Sequence, residues 1–178
     1  MKILPLETTA GRRDHALLSL MYNTGARVSE VTSLCIGDIS LDRPFQIRLF
    51  GKGSKVRIVP LWPETIHSVR QTLWDRPVSP RQCDPLFCNA RGERLSRSGV
   101  EYILTHYVDK ASQTFPTLAR KNVSPHTLRH TTAVHLLESG VEINVIKAWL
   151  GHASIVTPSR YIEINMEMKR KVLERASP

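Results

Sequence analysis

Cysteine is scarce and poorly spaced for a structural role. The three present, Cys35, Cys83 and Cys88, are odd in number and form no C-x-x-C unit. That argues against a disulfide framework or a zinc knuckle and suggests a reducing compartment. No apolar run approaches the length of a membrane span, and the opening MKILPLETTAGRR lacks the apolar stretch and small-residue cleavage site of a secretory signal. The chain therefore reads as cytosolic. Internal repeats and low-complexity tracts are also missing. Acidic charge is in short supply: 16 Asp and Glu face 25 Lys and Arg, a net charge of +9. Such a surplus favours a polyanionic partner, because each neutralised phosphate releases condensed counterions, although basic proteins that never meet nucleic acid are also common.

What is present suffices for a core. With 178 residues, 41% of them hydrophobic, the chain fits one domain or a domain with a short appendage. Periodicity predicts a helix over Gly11–Tyr22, a break at Asn23-Thr24-Gly25, and a short helix over Arg27–Leu34. Alternating apolar residues either side of Gly51-Lys52-Gly53-Ser54-Lys55 predict a β-hairpin from Phe45 to Leu61. Pro63 suits the first turn of a helix reaching Trp74. A proline-rich loop then covers Arg76–Pro85, and a second short hairpin is expected over Leu86–Leu95. Helices follow over Ser98–Ser112, from Pro125 to about Ser139, and over Glu142–Leu150, with Phe115–Ser124 as a connector. Two last helical pieces are expected at Ser159–Glu163 and Met166–Arg175. The fold class is mainly α (α+β), with a small antiparallel sheet.

Several residues carry possible chemistry. His126 and Arg129, three apart near a helix N-terminus, share a face and suit a phosphate, which a guanidinium grips with two donors. The same pair also fits simple capping and surface charge. His126, His130 and His135 lack the glutamate of a zinc hydrolase motif, and Arg129 would oppose a cation, so a metal site is disfavoured. His130 and His135 read as packing or hydrogen-bonding residues. Arg27 opens a helix, with Glu30 one turn on to hold it or merely to form a helix-end ion pair. Lys52 sits at a glycine-flanked tip that lets it swing into a groove or leaves it solvated. Tyr161 follows Leu150-Gly151-His152, with Pro158 and Arg160 beside it.

Together these strings resemble the tyrosine recombinases of the phage integrase family, which includes the Xer-type resolvases. The matching strings are Thr24–Glu30, Gly51–Lys55 running to Val59-Pro60-Leu61, Pro125–His130, and Leu150-Gly151-His152 with Tyr161 nine residues later. The resemblance implies a helical breaking-rejoining fold and a strand transferase that needs neither metal nor cofactor. It implies that Tyr161 forms a 3′-phosphotyrosine and that Arg27 and Arg129 bind the non-bridging oxygens. It further implies that His126 moves a proton at the nucleophile, that His152 supports the phosphate, and that Lys52 protonates the leaving 5′-oxygen. The implied partner is double-stranded DNA, with self-association as a tetramer on it and a place among the nucleoid. Arg94, Arg97, Lys110, Arg120 and Lys121 are candidate phosphate contacts.

The expected organisation is a catalytic domain over residues 1–178 with a tail helix at about 165–176. That tail docks on a neighbouring protomer or on its own domain. Only 26 residues precede Arg27, so the separate core-binding domain of the family is expected to be absent. Pro158 departs from the Thr of many members. A DNA-binding regulator that keeps the fold without turnover is the alternative reading.

Overall fold

The computed structural model describes residues 4–51, 53, 55–76 and 81–151. Lys52, His152, Tyr161, Pro158 and the expected helical pieces at 159–163 and 166–175 lie outside the described residues.

Helix α1 (Thr9–Thr24) begins where the Thr8 side chain accepts from the Gly11 N–H at 3.0 Å. It ends at Gly25, whose φ of 59° lets its N–H close on the Met21 carbonyl. Leu17, Leu20, Met21 and Thr24, spaced three and four apart, make this helix the centre of the main core. Helix α2 (Val28–Ser33) and a 3₁₀ turn at Ile36–Asp38 lead into a three-stranded antiparallel sheet. Its strands are β1 (Ile39–Ser40), β2 (Gln46–Phe50) and β3 (Val56–Pro60), in the order β1-β2-β3. The register pairs Ile47 with Val59 and Leu49 with Arg57. Ile47, Leu49 and Val59 therefore face the core, while Phe50, Val56 and Ile58 face outward. Helix α3 (Pro63–Trp74), with proline in its first turn, packs along α1.

Helix α4 (Arg97–Thr114) is capped by Ser96, and the one-turn α5 (Pro116–Ala119) follows it. Helix α6 (Pro125–Glu138), capped by Ser124, and α7 (Ile143–Leu150) complete the described elements. The mainly helical class with a small antiparallel sheet is thus as expected from sequence, with some local differences. The expected hairpin over Leu86–Leu95 is reduced to a single bridge between Cys88 and Arg94. There the Asn89 side chain accepts from the N–H groups of Arg91 and Glu93 at 2.9 and 3.0 Å, so the turn's amides are satisfied without a longer ladder. The connector Phe115–Ser124 contains α5, because Pro116 supplies a preset first-turn φ.

Among the described residues two apolar cores result. The larger joins α1, α2, the sheet, α3 and α4; a smaller one of Ala133, Leu137, Ile146 and Leu150 holds α6 against α7. Among the described residues no helix is long and apolar enough to cross a membrane.

Candidate active site

Glu30 is the centre of the site. It lies in the first turn of α2 with a side chain only 2% exposed, and a carboxylate so placed must be paired. Four donors surround it. The Arg27 backbone N–H reaches Oε2 at 2.7 Å and Arg27 Nη1 reaches Oε1 at 3.0 Å. Arg57 on β3 adds a fork, Nη1 to Oε1 and Nη2 to Oε2, both at 2.8 Å. Burial alone would raise the Glu30 pKa. The hydrogen bonds from Arg57 and from the Arg27 N–H, with the two guanidinium charges, outweigh burial and hold it below its ordinary value.

Arg129 comes to the same place from α6 and is buried. Its Nη1 donates to the Gly25 carbonyl and its Nη2 to the Leu150 carbonyl. Burial first, and then the charge of Arg27, lower its pKa to about 10, with Glu30 acting in the opposite direction. It therefore stays charged at neutral pH. Three guanidiniums share one carboxylate here, which leaves the neighbourhood strongly electropositive. Arg27 is the most open of them, with a side chain 41% exposed. It borders a cleft of about 660 Å³ lined also by Gly51, Lys55, Val56, Arg57, Ala148 and Gly151. An anion seated there would meet the Arg27 guanidinium, already held in place by Glu30.

Of the residues singled out from sequence, Arg27, Glu30 and Arg129 converge. Lys52 lies outside the described residues; of its sequence neighbours, Gly51 and Lys55 border the cleft, and the Gly51 N–H bonds the Lys55 carbonyl at 2.8 Å. His126 occupies the first turn of α6, exposed, with its ring 4.5 Å from that of His130 in an edge-to-face contact. His135 stacks edge-on against Tyr22 and hydrogen-bonds its hydroxyl. Among the phosphate-contact candidates, Arg97, Lys110, Arg120 and Lys121 are exposed. Arg94 also lies at the surface, but its Nη1 donates to the carbonyls of Thr32 and Leu34 at 2.9 Å each.

Arg57 escaped the sequence reading. Val56, Ile58, Val59 and Leu61 carry the apolar pattern that predicts the strand, and that pattern alone gives the arginine between them no role. The signal was the strand's period of two: Arg57 shares a face with Val59, so it points inward, where an arginine needs a partner.

The model of the phage integrase family matches residues 2–168.

The chain belongs to the phage integrase family.

Tyrosine recombinase XerC of Pelobacter propionicus is 39% identical over 172 residues, which is 97% of this chain and 54% of that protein. Tyrosine recombinase XerD of Corynebacterium glutamicum is 40% identical over 175 residues, 97% of this chain and 55% of its own length. The chain thus spans about half the length of these curated relatives. Among solved structures, the XerA recombinase superposes with a TM-score of 0.73 at 29% identity, covering 89% of this chain and 59% of that one. The XerH site-specific recombinase bound to palindromic difH substrate, a post-cleavage complex, gives a TM-score of 0.72 at 27% identity over 95% of this chain and 46% of its own. This phage integrase fold therefore carries its buried Glu30 cluster within a recombinase-type architecture.

Proposed function

We propose that residues 1–178 form the catalytic domain of a site-specific DNA recombinase that cuts and rejoins strands through Tyr161. The observation that carries this reading is the meeting of Arg27, at the start of α2 and bonded to buried Glu30, with Arg129 of α6, which bonds the carbonyls of Gly25 and of Leu150 at the end of α7. The sequence continues from there into His152 and Tyr161. Membership of the phage integrase family and the net charge of +9 support it further.

In this scheme Tyr161 Oη attacks the scissile phosphorus and the bond to the 5′-oxygen breaks. Lys52 gives that oxygen a proton, and His126 handles the proton that leaves the tyrosine. Arg27, Arg129 and His152 balance the charge that builds on the non-bridging oxygens. Barrier reductions of about 8–23 kcal/mol are typical of enzymes, and one preorganised donor contributes about 3–4 kcal/mol, so several must converge. A tyrosine of ordinary pKa about 10 needs that positive field to react as its anion. The phosphotyrosine keeps the ester bond's energy and side chains supply the charge, so the scheme uses neither ATP nor a metal. The partner is double-stranded DNA in the cytosol, within the nucleoid, engaged by a tetramer assembled on it.

The test is incubation with supercoiled plasmid in EDTA at low salt, stopped with SDS, beside Tyr161→Phe. Relaxed plasmid and protein-linked DNA are expected from the wild type and neither from the variant. DNA binding without any adduct would favour a regulator that keeps the fold without turnover.

A further inference from the structure

Arg57 makes three bonds to two separate parts of the fold. Its Nη1 and Nη2 hold the two oxygens of Glu30, as described, while its Nε donates to the Trp149 carbonyl at 2.8 Å. Trp149 O is one of the last carbonyls of α7, which have no acceptor role left inside the helix and carry the negative end of its dipole. The next carbonyl, that of Leu150, is taken by Arg129. Two arginines from different elements therefore grip adjacent carbonyls at the point where the chain leaves α7. Gly151 turns away there with φ of 70° and sits against the Arg57 side chain. A Cβ at that position would lie 3.0 Å from Nη1 and 3.1 Å from Cδ.

We infer that Arg57 is a positioning residue, setting the end of α7, from which the sequence continues to His152 and Tyr161, against the Glu30-held Arg27. This rests on the strand-transfer reading above for its catalytic consequence. Arg57 on β3 also follows Lys55 by two residues, so one side chain ties Arg27, through Glu30, and the strand that leaves Lys55 to the end of α7. Its side chain is only 10% exposed, and its fork is occupied by Glu30. Its part is therefore to fix distances among groups that touch the phosphate. A guanidinium suits this because its planar donors diverge in fixed directions, whereas an ammonium is a point charge that cannot hold both carboxylate oxygens and a third carbonyl at once.

Arg57→Lys in the full chain tests this, since it keeps the charge opposite Glu30 while removing the fork. Two readouts are needed. With supercoiled plasmid at saturating protein, covalent adduct formation is expected to slow at least tenfold, while affinity for a fluorescent duplex at the same salt stays within about twofold. By hydrogen exchange on the free protein, amides of 147–151 are expected to exchange at least about tenfold faster, with those of α1 unchanged. An adduct rate near wild type, or a loss appearing wholly as weaker DNA affinity, would overturn the assignment. So would unchanged exchange at the end of α7. If the wild type itself yields no adduct, the strand-transfer reading fails, and the exchange arm alone decides whether Arg57 sets the α7 exit.

Discussion

Replacing Glu30 with glutamine removes one oxygen and one charge from the site while keeping its shape. Each carboxylate oxygen accepts two bonds, Oε1 from Arg27 Nη1 and Arg57 Nη1, and Oε2 from the Arg27 backbone and Arg57 Nη2. Whichever way the new amide turns, its NH₂ faces two donors and two bonds are lost. Bonds to charged groups contribute about 1.5–3 kcal/mol each, and removing one member of a buried ion pair costs about 3–5 kcal/mol. The lower figure of about 3 kcal/mol is the safer expectation, because Arg27 is open enough to recover solvent. For a chain of this size each kcal/mol moves Tm by about 2–4 °C, so a drop of at least about 6 °C is expected at pH 7.

The pH dependence follows from the direction of the Glu30 shift. Its folded pKa lies below the unfolded one, so its stabilisation is complete above the usual glutamate value of about 4.3. That stabilisation is lost as pH falls through the lowered folded value. Thermal melts of both proteins across pH 7 to 3 should therefore show a Tm gap that closes toward acid. A gap under about 2 °C at pH 7, or one that widens on acidification, would refute the account of Glu30 as a paired carboxylate.

Other expectations concern the backbone and the surface. Gly25→Ala should lower stability by about 1–3 kcal/mol in urea unfolding, since φ is 59° and a Cβ would fall 2.4 Å from Leu150 Cδ2. A neutral or stabilising effect would contradict that packing. Neutralising exposed Arg120 and Lys121 together should lower the slope of log affinity for DNA against log salt by about 2, if both meet phosphates. Arg94→Ala should instead leave that slope unchanged and cost about 1–2 kcal/mol of stability, because its guanidinium is bonded to the Thr32 and Leu34 carbonyls. A reduced slope for Arg94→Ala would show that it reaches DNA after all.

Much of this architecture was legible in the sequence because its signals are local. The break at Asn23-Thr24-Gly25 ends α1, Pro63 and Pro125 open α3 and α6, and alternation either side of Gly51–Lys55 gives the hairpin. The pairing of Arg27 with Glu30 was also readable, since they lie three apart at a helix start. Links across the fold were not. Nothing local to Arg57 points to Trp149, and nothing local to Arg129 points to Gly25 and Leu150. Such bonds depend on where α7 ends relative to β3 and α1, which is a matter of tertiary packing. The two-residue strand β1 was missed for another reason: so short an element carries no periodicity to read.

The division of the apolar interior into a large and a small core gives the molecule two units of unequal strength. Four buried side chains hold α6 to α7, and this hairpin joins the larger unit through Leu128 and Trp149 and through polar bonds. Thr132 Oγ1 bonds the Tyr22 carbonyl at 2.7 Å and Trp149 Nε1 the Asn23 carbonyl at 3.2 Å, beside the contacts of Arg129 and Arg57. Units with small cores open at lower free energy than the whole protein unfolds. Arg27 and Glu30 belong to the strong unit, Arg129 and His126 to the weak one. The guanidinium cluster is therefore an interface between two parts, and under the proposed function an opened hairpin would leave a chain with ample positive charge for DNA and no assembled machinery for cutting it.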